Sequence, residues 1–242
     1  MRNPWVRAVV GFVVGLLLFL GIAYSLKAVL KPEWAASPVI SQIVLKTTMI
    51  VVALVVWLAL GRQLSEMGWR KAPWWNRSYA PWISVAALAM MSATVVMIFL
   101  GVKHPLAAKM NFLELVLCIW MLSSISEEIY VRGLVQSWIA ERDEAAARSP
   151  FAPSIVASTL VFAGMHVPLI WSPMGIKGGG TLVAGTFFAG WGCAVLRART
   201  RSLWPAILCH ILANVASIPG GILGTVFFKL LYHRLPDVLT SG

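Results

Sequence analysis

The chain has 242 residues, 59% of them hydrophobic and only 12% charged, with a formal net charge of +11. Several apolar runs near the ~20 residues that a bilayer requires exclude an ordinary soluble domain. The bases are scattered between those runs and form no dense stripe, which argues against nucleic acid and for a positive-inside membrane protein. Cys118, Cys193 and Cys209 are odd in number, sit in apolar surroundings and lack paired metal spacing, so they read as buried packing residues.

In chain order, Met1 to Arg7 is short and basic. The apolar run from Ala8 to about Leu30 is too long for a signal-peptide core and should remain as the first span. The second span covers about Val39 to Leu60, with Lys46 expected near its outer end, its ammonium snorkelling to the interface. A basic, Trp-rich connection, Arg62 to Tyr79, precedes a third span over roughly Pro81 to Val102. Span four starts near Phe112 and reaches about Ala140, longer than a bilayer needs, so it should project or bend. Span five is about Phe151 to Ile170, span six Thr181 to about Leu196, span seven Leu203 to Ile218, and a shorter eighth candidate runs from Gly221 to Tyr232. Trp69, Trp74, Trp75, Trp82, Trp171 and Trp204 lie at segment ends, where an amphipathic ring suits the headgroup level.

These spans predict an all-α, polytopic transmembrane bundle, a single integral membrane domain over 1–242. With eight crossings, one side collects Arg2, Arg7, Arg62, Arg70, Lys71, Arg77, Arg142, Arg148, Arg197, Arg199, Arg201 and Arg234. The other holds Lys27, Lys31, Lys103, Lys109 and Lys177, so both termini are expected to be cytoplasmic. The compact loops fit a bacterial inner membrane.

The chemistry concentrates in Met121 to Gly133, MLSSISEEIYVRG. A carboxylate at membrane depth is expensive and usually faces a polar cavity with a purpose, which makes Glu127 a candidate base of an intramembrane hydrolase. Glu128 and Arg132 are four apart and can pair along one helix face. Glu127, about 100° round the axis from Glu128, points elsewhere. Phe162 and His166 on span five, and His210 and Asn214 on span seven, have the same spacing and can aim polar groups at one cavity. Ser123, Ser124 and Ser126 are expected to bond to backbone rather than act as nucleophiles. His104 and His233 are expected in surface or interfacial roles.

In this order, Glu127-Glu128-x-x-x-Arg132, Phe162-x-x-x-His166 and His210-x-x-x-Asn214 resemble the CPBP intramembrane proteases, which include the CAAX prenyl endopeptidases and the abortive-infection or bacteriocin-processing type. The resemblance covers a core over roughly 111–217, and no position departs from the motifs. It implies that Glu127 activates a water with His166, and that His210 and Asn214 stabilise the oxyanion. Glu128, Arg132 and Phe162 would support them. It further implies a peptide or membrane-protein substrate within the lipid bilayer; oligomeric state stays open.

Glu127, His166 and His210 could also hold zinc, but there is no HExxH pair, and metal-free catalysis by glutamate is preferred. Two non-enzymatic alternatives use the same polar cavity, a small membrane transporter and a binding or immunity protein. No internal repeat of the kind many transporters carry is present. Glu127→Ala or His166→Ala should abolish hydrolysis, whereas pure binding should survive both.

Overall fold

The computed structural model describes residues 3–73, 75–102, 104, 109–141, 143 and 145–234. Arg2, Trp74, Lys103 and Arg142, and the side chains of His233 and Arg234, therefore lie outside what is described. The described residues form helices joined by short connections: α1 Pro4–Val29, α2 Pro38–Ala59, α3 Ala80–Phe99, α4 (112–140), α5 Pro153–Gly164, α6 Gly175–Thr200, α7 Trp204–Val215 and α8 Ser217–Arg234. The all-α bundle expected from the apolar runs is what the chain adopts.

Local sequence starts these helices in a consistent way. Proline occupies the first turn of α1, α2, α3, α5 and α7, where its fixed φ suits a helix and its missing N–H has no partner to lose. The Asn3 side chain accepts from Trp5 N and that of Ser37 from Ile40 N, each satisfying an orphan donor. At α4 the cap is reciprocal: Asn111 accepts from Glu114 N while the Glu114 carboxylate accepts from Asn111 N at 2.8 Å.

Among the described residues, six helical runs are long and apolar enough to cross a membrane. The charged α4 is a seventh by length, one fewer than the eight spans read from hydropathy. The difference lies at the end of the described chain. The expected spans seven and eight form one 28-residue run, Trp204–Leu231, interrupted only by a turn at Ala216. Pro219 has no N–H for the Val215 carbonyl, which explains a kink there without a reversal of direction.

Span four is continuous, as its length suggested, but it is wound unevenly. Leu115–Ser123 and Ile129–Gln136 are π-helical, on either side of an α-helical Ser124–Glu128. Such i→i+5 winding is rare and recurs at functional sites.

Glycine sets how close the neighbours come. On α1, Gly11 faces Ile139 and Gly15 faces Val135 of α4, and the Tyr130 hydroxyl donates to the Gly15 carbonyl at 2.6 Å. On α6, a Cβ at Gly185 would lie 2.8 Å from that of Ala93, and one at Gly192 would lie 2.6 Å from the Trp82 carbonyl oxygen. Small residues at such contacts let helix backbones approach, the usual means of association where burial from water drives little. The three cysteines are buried and unpaired, as expected.

One end of the bundle is clamped by charge. Glu141, just beyond α4, bonds to Arg7 of α1 at 2.8 Å and to Arg62 beyond α2. The hydrogen bond from Arg7, supported by that from Arg62, holds the Glu141 carboxyl below the usual carboxylate range despite partial desolvation. A depressed carboxyl contributes stability above its unfolded value, about 4.3, and loses it as pH falls through the folded value. The thermal midpoint of the purified protein should therefore fall on acidification below about pH 4.3, and Glu141→Gln should show a shallower fall. Equal slopes would sink this account.

Candidate active site

The site is built around α4, whose polar residues divide between two faces. Glu128 and Arg132 are both fully buried and paired at 3.0 Å, the i,i+4 contact that the spacing implied. Arg132 also donates to the Gly190 carbonyl of α6 at 2.6 Å and lies 4.5 Å over the Phe162 ring. A Cβ on Gly190 would stand 2.6 Å from that ring, so this glycine is what admits Phe162 and the guanidinium together.

Glu127 turns the other way and meets a residue that sequence reading misplaced. Lys46 does not snorkel: it is 6% exposed, and its ammonium pairs with Glu127 Oε1. An ammonium eight residues inside α2 finds its counter-charge in the bundle rather than at the interface because α2 packs along α4. The same Oε1 accepts from the Ser123 hydroxyl at 2.8 Å. Oε2 is left free of both and lies 3.7 Å from His210 Nε2, too far for a direct hydrogen bond and close enough for one water to bridge.

The helix end at Gly164 orients His166. Pro168 cannot continue α5, and the His166 amide turns back to Ala163. The Phe162 carbonyl is thus left for the His166 ring, which bonds to it through Nδ1 at 2.8 Å. A carbonyl only accepts, so Nδ1 carries the proton and neutral His166 keeps its lone pair on Nε2. His166 therefore sits just past the helix rather than on its regular face, and still reaches Phe162. The Phe162 ring packs against both imidazoles, with centroids 5.1 Å from His166 and 5.2 Å from His210.

On α7, His210 Nδ1 lies 2.9 Å from Glu128 Oε1, so this carboxylate holds both Arg132 and His210. The Asn214 amide donates to Ser124 Oγ at 3.0 Å and, weakly, to the Ile119 carbonyl at 3.4 Å. Ser126 bonds to the Ser123 carbonyl, as expected of a helical hydroxyl. Ser123 and Ser124 instead serve Glu127 and Asn214, a correction to the backbone role read from sequence. The i,i+4 interval between Ser123 and Glu127 was the available signal.

Glu127, His166, His210 and Asn214 line one cavity of about 460 Å³, whose remaining wall is mostly apolar, with Met97, Ile119 and Leu182 among its residues. Glu128 and Arg132 stand behind that wall. His104, expected in a surface or interfacial role, also lines it, and burial, with His166 nearby, pushes its pKa down to about 4. Among the described residues no three His, Cys, Asp or Glu are grouped so as to hold a metal ion, and the Lys46 ammonium stands where a cation on Glu127 would compete with it.

No curated protein and no solved structure matches the chain. A family model does: residues 109–216 match the one described as type II CAAX prenyl endopeptidase Rce1-like. That segment carries Glu127, Glu128, Arg132, Phe162, His166, His210 and Asn214 in the order already described. Over this segment the chain, an integral membrane protein with several apolar helices long enough to cross, is similar to the Rce1-like intramembrane proteases of the CPBP family.

Proposed function

We propose that the protein hydrolyses a peptide bond of a membrane-associated substrate by a metal-free mechanism based on Glu127. The observation that carries this reading is the pairing of Glu127 Oε2 and the His166 lone pair at one cavity, each held by contacts on its other side. A water between them loses a proton to Glu127, with His166 accepting its second hydrogen bond, and attacks the carbonyl carbon. Protonated His210 donates from Nδ1 to Glu128 and from Nε2 to the oxyanion, a charged donor aimed where charge develops. Asn214 adds an N–H once it releases its long bond to Ile119. Collapse of the tetrahedral intermediate breaks the C–N bond, and the proton held by Glu127 passes to the leaving amine. The balance is one water consumed and one carboxyl and one amine formed.

The crowding of bases on the side that holds Arg7, Arg62 and Arg197 supports a cytoplasmic N-terminus. With α7 and α8 as one crossing, only the residues after it change sides, which favours a C-terminus opposite the N-terminus.

The test is cleavage of a panel of membrane-associated peptides, prenylated CAAX tails among them, by protein purified into lipid nanodiscs. Cleavage should persist in EDTA or 1,10-phenanthroline. Loss with chelator and recovery with zinc would overturn the metal-free mechanism while leaving the protease reading standing.

A further inference from the structure

The segment that matches the family holds two adjacent buried acids, and among its described residues Arg132 is the one arginine or lysine paired with either of them. Arg132 pairs with Glu128, so Glu127 draws its counter-charge from α2, 81 residues away in sequence and outside the matched segment. We propose that Lys46 is a positioning residue for hydrolysis: with Ser123 it anchors Glu127 Oε1 and so turns Oε2 towards the water site beside His210. The inference rests on the reading of Glu127 as the base.

Charge balance alone would be met by an ammonium at either carboxylate oxygen. Here both anchors, Lys46 and the Ser123 hydroxyl, meet the same oxygen, and the other is the one 3.7 Å from His210 Nε2. Two contacts from different directions fix a carboxylate's rotation as well as its position. A base turned out of line by about 1 Å loses on the order of 10²-fold in rate, because near-attack geometry is lost. Lys46 and Glu127 are both nearly sealed from solvent, and neither has a competing ion-pair partner of opposite fixed charge among the described residues. The N-terminal part of the chain, which carries none of the recognisable motifs, thereby completes the site.

The experiment compares the native protein, Lys46→Met, Lys46→Arg, Glu127→Gln and Lys46→Met/Glu127→Gln in nanodiscs, by thermal unfolding and by cleavage, with rates normalised to folded protein. Lys46→Met should lower kcat about 10²-fold with KM within a few-fold of native. Lys46→Arg, which keeps a cation at the carboxylate, should recover most of that loss. In unfolding, Lys46→Met should lower the midpoint, and adding Glu127→Gln to it should raise the midpoint again. A native kcat in Lys46→Met overturns the positioning role, as does a loss that Lys46→Arg leaves unrecovered. Additive midpoint shifts would overturn the contact itself, whether or not any peptide in the panel is cleaved. Cleavage surviving Glu127→Gln would instead defeat the reading of Glu127 as the base, a separate failure.

Discussion

Glu127→Gln is expected to lower cleavage by about 10³-fold, within the range that general base catalysis contributes. The substitution is nearly isosteric and keeps an acceptor oxygen for the Ser123 hydroxyl and the Lys46 ammonium. It removes the negative charge and the basicity on the side facing the cavity. KM should change little, because the lost interaction is made with the reacting water rather than with bound substrate. The midpoint of unfolding should fall, since Lys46 is left as a buried cation without a counter-charge. A Glu127→Gln protein that cleaves at the native rate would remove Glu127 from the chemistry, and with it the mechanism proposed above.

Arg132→Met should produce the largest loss of stability, about 3–5 kcal/mol, the usual result of removing one member of a buried ion pair. The guanidinium is fully buried and has three partners on three elements: Glu128, the Gly190 carbonyl and the Phe162 ring. Its loss leaves Glu128 buried with His210 alone and the Gly190 carbonyl short of a donor. Activity should fall together with stability, because Glu128 orients His210 and Phe162 packs against both imidazoles. Arg132→Met/Glu128→Gln should regain much of the stability without regaining the native rate, since a neutral amide holds His210 less firmly than a carboxylate. An Arg132→Met protein with a native unfolding midpoint would show that this ion pair matters little to the fold.

These two expectations differ in how far the sequence alone anticipates them. Glu128 and Arg132 are one turn apart, and helical geometry brings such residues together whatever surrounds them. The separation of Glu127 from that pair follows in the same way, from the angle between successive residues. The apolar runs determined the all-α membrane class, and three spaced motifs marked which helices carry polar side chains. Each of these is local information, repeated within a turn or a span.

The rest depended on how the helices are rotated and how deeply they sit against one another. Lys46 and Glu127, His210 and Glu128, and Asn214 and Ser124 meet across 81, 82 and 90 residues of chain. No periodicity within one helix specifies such a pair, so Lys46 read as an interfacial lysine and Ser124 as a helical hydroxyl. Gly185, Gly190 and Gly192 set the depth of α6 only in combination with Ala93, Phe162 and Trp82 opposite them. Composition and short-range spacing thus determined the membrane class and the chemistry available to this chain. Tertiary packing decided which oxygen of Glu127 is anchored and which faces the cavity, because that choice belongs to α2 and α7 as much as to the helix that carries the acid.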